Sequence, residues 1–497
     1  MASSFFRKLH RPVTSPSTSA DHHDTTEHPR LAVAILCAAG IVVALMQTII
    51  VPLIPDLPAI LGTSPTNASW ALTITLLVCA VVTPISGRLG DMIGKRLVLI
   101  ASLGAVAAGS VVCALSSGLA LFLIGRGVQG LGIGTIAVGI SLMRDIVPPA
   151  RLGSSIGAMS ASLGVGGSLG LPFAAVIAQQ VSWHALFWVS AAVGVIAASA
   201  VAAAVPRSSI ATGGRFDLVG AIGLTVLLSC ILLALSKGDA WGWSSPAVLG
   251  LFAAFVVSSA LWWRWEKRVD NPLIDLATSI RRPILLTNIA SVATGFAFYA
   301  MQIMPIQVLE APTSTQTGVG LTIVEASLVL MPSGLVMFAF SYVSAWMTRR
   351  FGARVSLASG GVVIGVGYLG FLLMIAGPWH PTWGFMVIVN CFVGAGLGVA
   401  YSAMPALIMD WVPVTQTGEA NGVNALMRSV GTSTATAVIG MILAASVETV
   451  STTGGAVAVP STDAYVWASI VALVTCALAT VAALGVPASR LRDERVV

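Results

Sequence analysis

Charge is scarce in this 497-residue chain: Asp, Glu, Lys and Arg together make up 9% of it, against 56% hydrophobic residues and a mean hydropathy of +0.93. That excludes a water-facing globular surface, which would need about a quarter of the residues charged. Cysteine is sparse too. Cys37, Cys79, Cys113, Cys230, Cys391 and Cys476 all lie in apolar runs without CxxC spacing, so neither a zinc site nor a disulfide framework is expected. No Walker A loop occurs to feed an ATP motor. Residues 1–30 contain no apolar core ahead of a small-residue cleavage site. Their Ser, Thr, Pro and His, including His10, His22, His23 and His28, read as a solvated tail and not as a signal peptide or metal site.

What the chain has in place of charge is long apolar runs. Crossing ~30 Å of hydrocarbon with every backbone polar group paired takes about 20 apolar residues in a helix. Fourteen runs qualify, at roughly 31–53, 69–87, 97–117, 120–142, 154–178, 184–205, 217–235, 245–265, 283–308, 326–347, 354–376, 383–404, 422–446 and 465–485. The expected fold is therefore an all-α polytopic membrane protein. With the N-terminus inside, 22 of the 25 Lys and Arg residues fall in the tails and loops of one side, and Lys237 is the clearly external one. That bias places both termini in the cytoplasm and the protein in the cell membrane. The net charge of +6 then follows from topology, and no nucleic-acid partner is implied. Trp70, Trp183, Trp241, Trp243, Trp262, Trp263 and Trp265 at span ends read as interfacial anchors.

Composition divides the chain into a polar tail (1–30), a six-helix bundle (31–205), a linker segment carrying two further helices (206–282), a second six-helix bundle (283–485) and a short tail (486–497). The halves share a faint repeat. GRLGDMIGKR, residues 87–96, separates spans two and three, and a basic, Gly-containing turn from Ser344 to Arg354 separates spans ten and eleven. Two similar bundles can rock about a site between them, which is a transporter signature.

In the first of these turns Gly87, Gly90 and Gly94 permit close approach and a tight turn, while Arg88, Lys95 and Arg96 can reach an acid or lipid headgroups. Asp91 can meet a helix dipole or a basic group of a neighbour. Together they are candidates for a gate that latches and breaks. The fourth span carries Arg126 inside the hydrophobic interval, with Gln129 and Gly130 on the same face and Gly134 beyond. A charge there needs water or a partner. Gly166 and Gly170 form a GxxxG face in the fifth span, and Pro172 is expected to bend that helix.

These segments resemble the major facilitator superfamily, and within it the fourteen-helix drug:proton antiporter group. Gly87 to Arg96 follows the superfamily's G-x-L-a-D-r-x-G-r-k loop, and Arg126-Gly127-Val128-Gln129-Gly130 follows its fourth-helix R-x-x-Q-G pattern; the resemblance covers about residues 31–485. It implies the major facilitator fold, two six-helix bundles plus two inserted helices, and proton-driven export of amphipathic compounds by alternating access. Two runs depart from the group. In Leu45-Met46-Gln47-Thr48-Ile49-Ile50-Val51-Pro52, Met46 stands where the group has an acid and Val51 where it has Asn. In the fifth helix Gly170-Leu171-Pro172 shifts the proline, and Ala174-Ala175 replaces a Gly pair.

A proton-coupled carrier needs an ionisable group whose environment alternates. Asp91, Arg126 with Gln129, and Glu325 are the candidates, Glu325 being equally readable as an N-terminal helix charge. Glu419, Asn421, Asn424 and Arg428 can form a second latch or interfacial caps, and Ser141, Arg144 and Asp145 an inner-edge ion pair. Gln47, Thr48, Tyr299, Gln302 and Asn390, with Met301 and Met304, can line an amphipathic cavity or tie helices together. The expectation is a monomeric secondary exporter, not an enzyme, of small amphipathic molecules among membrane lipids, with protons as coupling ion and no cofactor or metal. A carrier of one metabolite, siderophore or lipid precursor is the alternative, and a membrane scaffold or sensor the alternative of another class.

Overall fold

The computed structural model describes residues 29–487 apart from 51–52, 54–55, 209–210 and 453–454. Most of the two tails and Val51 thus lie outside the described residues. Among those described, fourteen helices are long and apolar enough to cross a membrane. They are α1 (Pro29–Thr48), α2 (Trp70–Ile93), α3 (Lys95–Ala114), α4 (Leu119–Ile146), α5 (Pro149–Gln180), α6 (Trp183–Ala204) and α7 (Leu218–Trp241). There follow α8 (Pro246–Glu266), α9 (Arg282–Glu310), α10 (Ile323–Phe351), α11 (Ala353–Ala376), α12 (Trp383–Met409), α13 (Thr417–Ala445) and α14 (Thr462–Gly485). The protein is an all-α polytopic bundle.

Four details differ from the sequence reading. The first run stops at Thr48, not 53, because Pro52 has no N–H to bond the Thr48 carbonyl. The fourth runs on to Ile146 but is interrupted at Leu131-Gly132-Ile133-Gly134, where Thr135 Oγ1 donates to the Gly132 carbonyl at 2.6 Å. Helix α5 starts earlier than its apolar run, at Pro149, and continues with Pro172 inside it to Gln180. A β-hairpin, β1 (Val447–Thr452) antiparallel to β2 (Gly455–Pro460) with Val447 opposite Pro460, fills what read as a loop between α13 and α14.

The internal repeat reappears in the backbone. Gly94 joins α2 to α3 at φ 106°, and Gly352 joins α10 to α11 at φ 92°, a region that glycine alone enters freely. Each half has its own core, Leu36, Val43, Leu103 and Met159 in one, Ala300, Met304, Leu397 and Met404 in the other. The halves meet along α2 with α13 and α5 with α10. Small residues set both crossings. A Cβ on Gly87 would run into the Gly418 carbonyl, and one on Gly334 into Ser168. Within the first half, Gly130 faces the Thr75 carbonyl, Gly134 faces Ser86, Gly166 lies on Ala44 and Gly170 on Thr48.

The two inserted helices are unequal. Helix α7 packs on α2 and α13 through Leu224 and Leu228, against Ala80, Val423 and Leu426. Helix α8 packs chiefly on α7, with 6% of its apolar stretch buried against 78% for α5, so the bundle leaves most of its surface uncovered.

Gly125 and Gly109 meet where α3 crosses α4: a Cβ on Gly125 would lie 2.6 Å from Cys113 Sγ and 2.8 Å from the Gly109 carbonyl. Gly125→Val should therefore destabilise the fold by about 1–3 kcal/mol, read as a lower midpoint of thermal unfolding in detergent. Gly104→Ala, where a Cβ meets nothing within 4 Å, should leave the midpoint unchanged.

Candidate functional site

Helix α13 begins at Thr417, so the N–H groups of its first turn have no intrahelical acceptor and carry the positive end of the helix dipole. The Asp91 carboxylate, from the last turn of α2 in the other half, fills that position. Oδ1 accepts from Gly418 N at 3.1 Å and Oδ2 from Glu419 N at 2.9 Å. The approach is possible because Gly87 and Gly418 have no side chains between the two backbones.

Lys95, one turn on, sits 3.6 Å from Asp91 and is fully buried. Its ammonium donates to both oxygens of Asp145 on α4, at 2.8 and 3.0 Å, and to Thr417 Oγ1 at 3.1 Å. Thr417 Oγ1 also lies 2.7 Å from Ser141 Oγ. At the rim Arg88 pairs with Glu419 at 3.3 Å, while Glu419 Oε1 accepts from the Asp275 backbone N–H. The segment between α6 and α7 straps the same corner. Thr212 N donates to the Asp91 carbonyl at 2.9 Å, and Ser208 Oγ to Asp145 at 2.6 Å. Arg144 adds two bonds across the halves, to the Val412 carbonyl at 3.3 and 3.4 Å. Buried charges are tolerable only when paired and hydrogen-bonded, and these are.

The result is a polar clasp at one end of the bundle, spanning α2, α3, α4 and α13. At the related turn of Gly352, Arg349 and Arg350 are exposed, with Arg350 over the Trp346 and Phe351 rings, and Ser344 bonds within its own half. Of the hinge residues, Gly90 packs on Lys95 and Val138, and Arg96 turns away to the carbonyls of Val201 and Ala202.

Arg126 lies apart from the clasp and is 1% exposed. Its Nε donates to the Ala71 carbonyl at 3.2 Å, and Nη1 to Gln129 Oε1 at 2.7 Å and the Met46 carbonyl at 3.4 Å. Met46 lies in the last turn of α1, where carbonyls lack helical partners. A main-chain dipole thus meets the guanidinium at the position where an acid was expected. Gln129 in turn donates to Ser110 at 2.8 Å.

Glu325 stands exposed at the start of α10 in a capping box, its Oε2 accepting from Thr322 N and Oγ1, each at 2.9 Å. The cavity candidates separate. Gln302 and Met301 line a small cavity between α5 and α9, α10 and α12, and Tyr299 lines another beside α2, α7 and α13. Asn390 is buried, with Nδ2 donating to Met386 at 2.8 Å and Oδ1 without a partner. Thr48 bonds its own helix at Leu45, and neither it nor Gln47 lines these cavities. Asn424 links Asn288, Ser291 and Arg428 within the second half. Thr417, Thr212, Ser208 and Asp275 were not foreseen as partners of the hinge. The one local signal for Thr417 is its place directly before Gly-Glu at a helix start. No group of three His, Cys, Asp or Glu able to hold a metal occurs among the described residues.

Comparison with known proteins identifies this architecture. The profile of the Major Facilitator Superfamily matches residues 36–217 and 292–495. The chain is 25% identical over 420 residues to the multidrug resistance protein Stp of Mycobacterium tuberculosis, covering 84% of this chain and 76% of that protein. It is 29% identical over 427 residues to the tetracenomycin C resistance and export protein of Streptomyces glaucescens, covering 82% and 75%. The solved human organic anion transporter MFSD10 (TETRAN) is similar in fold, with a TM-score of 0.64 at 14% identity, covering 91% of this chain and all of that one.

Replacing Asp91 by Asn puts an amide N–H₂ against one of the two N–H donors and leaves the other an uncharged oxygen in place of a charged acceptor, a change of about 1.5–3 kcal/mol per bond. Hydrogen exchange of the peptide spanning 414–421 should therefore accelerate by about tenfold or more in Asp91→Asn, with the exchange of α9 and α12 unchanged. An unchanged rate at Gly418 and Glu419 would show that the carboxylate does not hold that helix end.

Proposed function

Because the chain belongs to the Major Facilitator Superfamily, we propose that it exports small amphipathic organic molecules in exchange for protons, by alternating access controlled at the Asp91 clasp. It is a secondary transporter of that superfamily and not an enzyme. The observation that carries the gating is the asymmetry of the contacts between halves. They are ionic and hydrogen-bonded at the Asp91 end, whereas farther along α2 meets α13 and α5 meets α10 through small residues such as Gly422 and Gly334, with cavities beside the crossings. Such a clasp is a two-state element, made in one conformation and broken in the other. In this reading the clasp faces the cytoplasm, with both termini, so that the basic residues lie inside. The bundles 31–205 and 283–485 rock about the cavities between them, and α7 and α8 ride outside that core.

The cavity beside α5 holds only about 30 Å³ with the clasp made, and its lining suits amphipathic cargo once the halves part. Phe298, Met301 and Met337 offer adaptable apolar surface, and Gln302, Ser327 and Ser333 a few hydrogen bonds. Export is the direction named for the Streptomyces relative, and multidrug resistance the property named for the mycobacterial one. Coupling follows from the clasp chemistry. A proton on Asp91 weakens its attraction for Lys95 and aims an O–H at the amides of α13, which loosens the closed end. The carrier works in this reading as a monomer among membrane lipids, without a cofactor.

Proteoliposomes with an imposed pH gradient test this. A panel of fluorescent amphipathic dyes should include some whose movement follows the gradient and stops with a protonophore; movement indifferent to the gradient for every transported dye would reject proton coupling. Asp91→Asn should slow turnover by about tenfold or more with the protein still folded. Glu325→Gln separates the two carboxylates: unchanged gradient dependence assigns coupling to the clasp, and its loss assigns coupling to Glu325.

A further inference from the structure

Acidic residues in the fourteen membrane helices all lie within two positions of a helix end, whereas, besides Arg88 of the clasp, three cations lie deeper: Arg126, Arg428 and Lys237. Arg126 is met by two carbonyls and the Gln129 amide oxygen. Arg428 is met by Asn424 Oδ1 at 3.0 Å and lies over the Tyr401 ring at 5.2 Å. Lys237, on α7, differs from both in fronting a cavity.

That cavity, of about 180 Å³, lies at the end of the bundle away from the clasp, where α7 covers the flank between α2 and α13. Lys237 is 3% exposed. Its ammonium donates to Ser69 Oγ at 2.6 Å and stands over the Trp70 ring at 4.7 Å, and no carboxylate pairs with it among the described residues. Three N–H donors with one conventional acceptor leave a donor for a ligand. An ammonium buried with no carboxylate paired to it among the described residues is unfavourable, so an anion that enters gains what the fold has withheld. Hydroxyls of Thr73 and Ser236, 3.2 Å apart, lie beside it. Leucines of α2 and α7 form the wall, and Tyr299 and Thr436 the far end. The polar head and apolar wall are those of a site for an amphipath. Lys237 and Ser236 fall in the stretch between the two matched parts of the superfamily profile, so the inserted helix is what builds the site.

We propose that this cavity binds a single-chain amphipath by a monoanionic head, a sulfonate, carboxylate or phosphate ester, on Lys237, with its apolar chain along the α2 and α7 leucines. The site goes beyond the transport reading, because binding is expected whether or not export is proton-coupled.

The full chain in phosphatidylcholine nanodiscs, titrated with a dansyl-labelled undecane sulfonate and with the uncharged alcohol of the same length, tests it. The sulfonate should bind saturably and about tenfold more tightly than the alcohol. Lys237→Gln should bring its affinity down to that of the alcohol, and Lys237→Arg should keep it within about threefold of the natural protein. Ser433→Phe, which fills the cavity from α13 and leaves Lys237 in place, should abolish saturable binding. Equal affinity for sulfonate and alcohol overturns the proposal. So does undiminished sulfonate binding in a Lys237→Gln protein with the thermal midpoint of the natural one. Nanodiscs containing phosphatidylglycerol distinguish the sources: displacement of the probe makes the occupant a lipid headgroup, and retention of charge-selective binding makes it a free amphipathic anion.

Discussion

The contact between the Asp91 carboxylate and the opening amides of α13 is the one on which the closed end of this protein depends. A helix that starts inside a bundle must have its first N–H groups satisfied by something, and in a chain this short of charge few groups can do it. A carboxylate answers both the missing acceptors and the helix dipole. Everything around it keeps the carboxylate there. Gly87 and Gly418 let the backbones close, Lys95 balances the charge and is itself held by Asp145 and Thr417, and Thr212 ties the Asp91 carbonyl from the linker. Loss of one member leaves the others as buried, unpaired charge, so the arrangement tends to be whole or broken.

The handling of charge deeper in the bundle follows the same physics with different partners. Arg126 pairs with no acid among the described residues, and the α1 residue beside it is Met46. Its guanidinium draws on the Met46 and Ala71 carbonyls and the Gln129 amide oxygen, dipoles that do not titrate. In the proposed cycle the proton is therefore carried at the helix ends, by the clasp, and not by an acid in the middle of the first helix. The inserted pair is likewise not a uniform spacer. Helix α8 leaves most of its apolar surface uncovered, while α7 packs over the flank of α2 and α13 and delivers Lys237 to a cavity that neither six-helix half forms alone.

Much of this was legible in the chain. A span is a local property, since length and apolar content decide it, and fourteen spans were countable within a few residues. Gly94 and Gly352 were readable as matching turns because left-handed backbone selects glycine. Misses came where local composition carries no information. Alternation over Val447–Thr452 and Gly455–Pro460 is too short to separate a hairpin from a loop. The interruption of α4 is one glycine-rich stretch among 50 glycines. Thr212, Ser208 and Thr417 are ordinary hydroxyl residues until the fold brings them to Asp91, Asp145 and Lys95.

By itself, then, the sequence determined the environment, the number of crossings, the placement of charge at span ends and the hinge at Gly87 to Arg96, because each follows from the cost of exposing backbone or charge to hydrocarbon. Only the tertiary structure decided which groups meet: that Asp91 of one half caps α13 of the other across more than 300 positions, that Arg126 is satisfied by carbonyls, and that Lys237 faces a cavity. Those pairings depend on angstrom-scale approach between helices distant in sequence, set by glycines whose role appears only when a second backbone arrives.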